Sequence, residues 1–378
     1  MLWIDRLHRW TGGFIGLLLA TLGLTGTLLV YKDAWLRASV PHAAEPLVRD
    51  AALMTAAFER MMSDPTSKPD NILFPDDGLG GYRLSYAGDA GAYADQSGNI
   101  VVRWNSQWER PEIWLFDLHH HFFIGDTGST VGGILAILGL CFVVTGVLLW
   151  WRTRKTFAFR VLPSRLTRLQ IVKHHRDLGV VAAPLLLVSF LTATMLAFRP
   201  VAEVLLTPFS SGPSITQALA GPKIKGGALA PNYDWAATLE TVRTRFPEAR
   251  VRSVNIPAAS GQLIRVRMRQ PLEWLPGGRT IIWFDPANGR LVDVRDAMTL
   301  PLATRLYNLV YPVHAAKVGG ALYKAVMTVS GLSLTMLGTL AMFAFWSFRA
   351  RQRAARRPPV TTPALEPSAP PPSQRDPF

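Results

Sequence analysis

Charged residues vanish from this chain four times. Between Arg9 and Lys32, Asp126 and Arg152, Asp177 and Arg199, and Lys324 and Arg349 every position is uncharged and most are apolar. Each run has about 20 residues or more, the length that crosses roughly 30 Å of hydrocarbon as a helix rising about 1.5 Å per residue. Trp10, Tyr31 and Trp35 flank the first run, Trp150 and Trp151 end the second, and Trp346 ends the fourth. Rings with an apolar body and a polar edge settle at the membrane–water boundary. Pro184 predicts a kink in the third run.

Between the spans the period changes. DAALMTAAFERMM from Asp50 and NYDWAATLETVRTRF from Asn232 read as amphipathic helices. Short alternating strands follow, among them Tyr82–Tyr86, Val251–Ile256, Leu263–Met268 and Thr280–Phe284. DQSGNIVV and DPANGRLV are turns before a last strand, with Gly98 and Gly289 free to take positive φ. Two small α+β domains are expected.

The chain also repeats itself. H-R-x-x-G opens the first span at His8 and the third at His175. A histidine precedes the second span (His119-His120-His121) and the fourth (His314), each ahead of a Gly-Gly pair, Gly132-Gly133 and Gly319-Gly320. The fold class is therefore an integral membrane α-helical protein, a four-helix transmembrane bundle from a duplicated two-span unit. Because each copy has two spans, the copies insert the same way up, about a pseudo-two-fold along the membrane normal. The expected segments are span 1–35, outer domain 36–118, span 119–151, basic loop 152–174, span 175–199, outer domain 200–312, span 313–349 and a proline-rich, disordered tail 350–378.

Composition agrees: of 378 residues 49% are hydrophobic and 17% charged, and the mean hydropathy is +0.18. The net charge of +14 is topological. Arg152, Arg154, Lys155, Arg160, Arg165, Arg168 and Lys173 fill one loop, and Arg349, Arg351, Arg353, Arg356 and Arg357 begin the tail. The positive-inside rule puts both termini in the cytoplasm, and no nucleic-acid reading head accompanies the charge. The first span reads as an uncleaved anchor, because its flanks recur at the third. The single cysteine, Cys141, excludes a disulfide scaffold, a four-Cys zinc site and Cys-ligated iron–sulfur clusters, and no C-x-x-C-H attaches haem covalently.

The histidines carry the candidate chemistry. His8 and His175 fall at the cytoplasmic ends of their spans, His119 and His314 at the outer ends. A parallel two-fold brings equivalents together, giving one facing pair per leaflet, which suits two bis-histidine b-type haems. The bland reading of any single such histidine is interfacial trim, and His42 is read so; repetition is what argues against it for the pairs. Zinc competes, but the inner pair lacks a carboxylate at H-E-x-x-H spacing. No acid lies inside the spans, which disfavours a pump.

With H-R-x-x-G at His8 and His175, DLHHHFFIGDTG from Asp117, QPLEWLPGGRTIIWFDPANGRLVDVRDA from Gln270 and YPVHAAKVGG from Tyr311, the chain resembles the PepSY-associated transmembrane-helix family of bacterial inner-membrane proteins. Within it the likeness is to the di-haem siderophore reductases. The resemblance implies PepSY-like periplasmic domains and two b-type haems, the inner on His8 and His175, the outer on His119 and His314. His174, His120 and His121 are the alternates. It further implies reduction of a ferric siderophore in the periplasm. No G-x-G-x-x-G follows a strand, so electrons are expected from a separate cytoplasmic donor or a quinol. Arg265, Arg267 and Arg269 alternate on one strand and share a face. That face is a candidate dock for an anionic chelate, with Trp104, Trp108, Trp114 and Trp274 over it, or a solvated sheet surface. Arg9 and Arg176 adjoin the inner ligands as tuning cations or interfacial anchors. The alternatives are a di-haem conduit to another acceptor, a non-redox PepSY binding or regulatory protein, and, least favoured, a chelate transporter.

Overall fold

The computed structural model describes residues 2–64 and 68–355, with side chains described to residue 347. The chain runs α1 (Leu2–Val30), α2 (Lys32–Ser39), α3 (Ala51–Met62), β1 (Asn71–Leu73), β2 (Tyr82–Ser85), β3 (Gly91–Ala94), β4 (Ile100–Trp104), α4 (Pro111–His121) and α5 (Gly125–Trp151). It continues through α6 (Arg168–Ala197), α7 (Arg199–Leu206), α8 (Ile215–Ala218), α9 (Trp235–Arg245), β5 (Arg250–Asn255), β6 (Ile264–Arg269), β7 (Thr280–Phe284), β8 (Leu291–Arg295), α10 (Leu302–His314) and α11 (Gly320–Ala355).

Among the described residues four helices are long and apolar enough to cross a membrane: α1, α5, α6 and α11 to Ser347. Leu17, Leu28, Ile134, Val144, Val181, Leu187 and Val329 stay exposed on their outer faces, a surface that lipid rather than water would cover. Between α1 and α11 the packing rests on glycine. A Cβ on Gly16 would stand 2.8 Å from the carbonyl oxygen of Gly338, and one on Gly23 2.6 Å from that of Gly331. Small residues at this spacing let helix backbones close up where no hydrophobic force drives association. Trp346 Nε1 donates to Gly13 O at 2.9 Å on the same seam. The bundle centre is apolar, with Leu19, Leu135, Ala136, Leu186, Phe190 and Leu337 buried together.

All eight strands form one antiparallel sheet, ordered β4-β3-β2-β1-β5-β6-β7-β8. The strands of the two outer segments expected from the sequence join in this single sheet. Each half alone would leave a bare edge of unpaired amides and carbonyls. The edges meet instead, with Asn71, Ile72 and Leu73 opposite Asn255, Val254 and Ser253. Arg252 clamps the junction: its guanidinium donates to Phe74 O (3.3 Å), Pro75 O (3.0 Å), Pro276 O (3.1 Å) and Asp76 Oδ2 (2.5 Å). Helices α3 and α9 cover one face, packing Phe58, Met61, Leu239 and Val242 on Ile72, Leu84, Val254, Val266 and Ile282. Both helices start on an aspartate cap. Asp50 Oδ1 accepts from Ala52 N at 2.7 Å and Asp234 Oδ1 from Ala237 N at 2.8 Å.

The histidine clusters do not begin the second and fourth spans, as residues 119–151 and 313–349 would have it. They end the preceding helices, α4 and α10. Positive φ at Phe122 (48°), Phe123 (62°) and Gly125 (58°), and at Ala316 (50°), Gly319 (70°) and Gly320 (61°), turns the chain between each histidine and its span. Helix α11 continues to Ala355, and the rest of the 350–378 tail lies outside the described residues.

Candidate functional site

His8 on α1 and His175 on α6 face each other near one end of the bundle, with ring centroids 6.2 Å apart and planes at 86°. A cavity of about 970 Å³ opens around them, at the upper end of the range for small-molecule sites. Gly12, Gly16, Gly139, Gly146, Gly179 and Gly338 line it beside Leu19, Phe142, Phe190 and Leu337. A Cβ on Gly12, Gly146 or Gly179 would meet only a lining side chain, at 3.9, 3.7 and 3.9 Å, so larger residues there would fill the space. Asp5, Arg9, Arg168 and Arg176 also border the cavity.

At the sheet end His119 closes α4 and His314 closes α10, and their ring centroids lie 6.4 Å apart at 40°. His119 packs on Gly26 of α1, where a Cβ would come within 3.1 Å of its Cε1. The two levels are joined by α1. From His8 to Thr25, which touches His119, is about 25 Å of helix at about 1.5 Å per residue.

Threonines orient three of these rings. Thr25 Oγ1 donates to Thr21 O at 2.7 Å and lies 2.8 Å from His119 Nδ1. Thr192 Oγ1 donates to Val188 O at 2.7 Å and lies 3.0 Å from His314 Nδ1. Thr145 Oγ1 donates to Cys141 O at 2.7 Å and lies 2.8 Å from His8 Nδ1. A hydroxyl has one proton, and each of these donates it to its own helix. The hydroxyl therefore accepts from Nδ1–H, and the neutral ring keeps its Nε2 lone pair for another partner. His175 differs: its Nδ1 is buried without a hydrogen-bond partner.

Such pairs fit a hexacoordinate iron. Two imidazole nitrogens about 2.0 Å from a metal, each about 1.1 Å from its ring centre, put the centroids about 6.2 Å apart. The separations are 6.2 and 6.4 Å. A tetrahedral ion between two imidazoles lacks two ligands, whereas a porphyrin brings its own four nitrogens.

The alternates point elsewhere. His120 stacks on Phe116 at 4.3 Å, His121 Nδ1 bonds Asp117 Oδ1 at 2.8 Å, and His174 Nε2 lies 3.1 Å from Met336 Sδ. Arg176 is committed to Asp177 Oδ1 and to Thr156 O, both at 2.7 Å, so it ties the loop after α5 to α6. Arg265, Arg267 and Arg269 do share a face of β6, opposite buried Ile264, Val266 and Met268. The indole beside them is Trp283, across from Arg265. Trp104 is buried under the far end of the sheet with Tyr93, and Trp108 and Trp274 are exposed.

The threonines carried a sequence signal that motif reading passes over. Thr25 and Thr192 each follow the histidine of H-R-x-x-G by 17 residues. Thr145 follows His119 by 26, and the residue 26 after His314 is Leu340, an aliphatic side chain on α11.

Compared with known proteins, a family model described as PepSY-associated TM region matches residues 6–347. No curated protein matches the chain.

Proposed function

The chain belongs to the PepSY-associated TM region family, and on that footing we propose that it conducts electrons across a bacterial inner membrane through two b-type haems to a ferric siderophore in the periplasm. The observation that carries this reading is the pair of facing imidazole couples, 6.2 and 6.4 Å between centroids, one at each level of an apolar bundle.

His8 and His175 would hold the inner haem, His119 and His314 the outer. Bound haem supplies one-electron chemistry that no side chain of the bundle offers. The protein's part is placement. Thr145, Thr25 and Thr192 keep the proton on Nδ1, so Nε2 is free to ligate and the ring cannot swivel. Leu19, Leu135, Leu186 and Phe190 keep water from the middle of the bundle. The basic loop between α5 and α6 lies at the His8–His175 end, which the positive-inside rule makes cytoplasmic and the sheet periplasmic. The electron donor is a separate cytoplasmic protein or a membrane quinol. At the outer end, one electron converts chelated Fe(III) to Fe(II), a larger and softer ion that hard oxygen ligands hold more weakly, and the chelate lets go.

The test is an optical spectrum of the detergent-purified chain, oxidised and then dithionite-reduced, with haem quantified per chain. A Soret shift and a b-type α-band at two haems per chain are expected, and single alanine substitutions at His8, His175, His119 and His314 should each remove one haem. A colourless protein purified from haem-supplied cells overturns the reading and leaves a non-redox binding module.

A further inference from the structure

The sheet face turned away from α3 and α9 holds unmet positive charge. Arg83, Leu73, Ser253 and Arg267 are successive cross-strand partners, and their neighbours Leu84, Ile72, Val254 and Val266 fill the core on the other side. Two arginines thus straddle the β1·β5 junction, one from each half of the chain. In both, Nε is buried and has no hydrogen-bond partner.

Acids do not balance them. Around Arg267 stand Arg265, Arg279 and Arg295, with Glu273 the acid acting on it; Asp293 lies farther out, beside Arg295 and across from Trp283. Burial and those cations push the Arg267 guanidinium down to about 10. Glu273 is already engaged by Gln270 N (2.9 Å), Arg279 N (2.5 Å) and Thr280 Oγ1 (3.2 Å). Near Arg83 lies Lys32, with Lys317 as a further cation. Asp33 is paired with Lys317 at 2.5 Å. Glu112 Oε1 accepts from Tyr93 Oη (2.8 Å) and Arg110 Nε (2.7 Å), leaving one oxygen, Oε2, without a partner. An Nε–H removed from water without an acceptor is costly, and an anion with oxygens to offer would relieve it.

The face also stands close to the outer histidines. Arg279 Nε donates to Asn308 Oδ1 at 2.9 Å on α10. His314 follows six residues on, about 9 Å along the helix. Glu112 and His119 share α4 in the same way.

We propose that the sheet face between Arg83 and Arg267 is an oxyanion-binding site, and that it takes the electron acceptor as an anionic ferric chelate bearing carboxylates. The choice of chelate rests on the electron-transfer reading above; the anion site does not. It predicts selectivity by charge: a carboxylate-rich ferric chelate binds, and a neutral ferric trihydroxamate does not.

Equilibrium dialysis of the purified full-length chain against radioactive ferric citrate tests this. Saturable binding is expected, weakened about ten-fold or more in Arg83→Gln and in Arg267→Gln. It should be unchanged in Arg250→Gln, an exposed arginine paired with Asp77 at 3.7 Å. Haem content should be the same in all variants, and a neutral ferric trihydroxamate should not compete. Equal competition by the neutral chelate, or full binding in both arginine variants, overturns the proposal. So does loss of haem with chelate binding intact, which would assign the arginines to the propionates of the outer haem. If the chain proves free of haem yet binds ferric citrate through Arg83 and Arg267, the anion site stands and the electron-transfer reading falls.

Discussion

His175 faces His8 across the bundle with 6.2 Å between ring centroids, yet only His8 has its Nδ1 against a threonine hydroxyl, that of Thr145 at 2.8 Å. The inner pair is thus held on one side and the outer pair on both. An acceptor at Nδ1 fixes the tautomer and makes the opposite nitrogen a better ligand, and losing such a partner lowers metal affinity about 10- to 100-fold. With haem bound as proposed, Thr145→Val should weaken the inner haem by about that factor and leave the outer one bound. Haem titration of the apo-protein, followed at the Soret band, reads it. Equal haem affinity in Thr145→Val and the parent would remove Thr145 from the site.

The neighbouring histidines should be dispensable. His120 is stacked on Phe116, His121 is bonded to Asp117, and His174 touches Met336, and the histidine rings that His120 and His121 meet are those of their own helix. His120→Ala, His121→Ala and His174→Ala are each expected to keep the parent's haem content and reduced spectrum. A variant among them that loses one haem would move the ligand by one or two residues.

Much of the fold is legible in the residues and some is not, for physical reasons. Uncharged runs are unmistakable because a charge in hydrocarbon is costly. Strand β7 coincides with the alternating run Thr280–Phe284, and β5 and β6 with their runs to within one residue. Edge pairing between β1 and β5 leaves no such trace. Asn71–Leu73 is three residues long, and backbone bonds to a distant strand impose no period. The break between His121 and α5 is equally silent. Phe122 and Phe123 take positive φ, a conformation normally left to glycine. The face carrying Arg265, Arg267 and Arg269 follows from alternation, but the prior engagement of Glu273 and Glu112 by other donors could be seen only in the folded chain.

Arg252 should matter to stability out of proportion to its position on a β-strand. It is buried and binds three carbonyl oxygens and Asp76, from both sides of the sheet junction. Arg252→Met fills a similar volume but strands those acceptors, for an expected loss of about 2–4 kcal/mol. Amide hydrogen exchange should show it as faster exchange across β1 and β5, with the spans unchanged. Exchange identical to the parent would make the clamp irrelevant to the junction.

Glycine can separate the two levels of the bundle. A Cβ on Gly26 would come within 3.1 Å of His119 Cε1, and one on Gly146 within 3.7 Å of His8 Cε1. The atoms nearest a Cβ on Gly26 are those of His119 in the sheet-end pair, and Gly146 lines the cavity around His8 and His175. A leucine at either site would drive its branched end into the space beside one imidazole, and overpacking of this kind typically costs about 1–3 kcal/mol. Gly26→Leu should therefore displace the outer haem and Gly146→Leu the inner, each leaving one haem per chain. The two half-loaded proteins make the order of electron transfer readable. With the outer haem missing, dithionite-free reduction from the donor side should still reach the inner haem but no longer reach a ferric chelate. With the inner missing, neither should be reduced from that side, although chelate-side oxidation of a chemically reduced outer haem should persist. Loss of both haems from either single variant would mean that the levels are not independent sites.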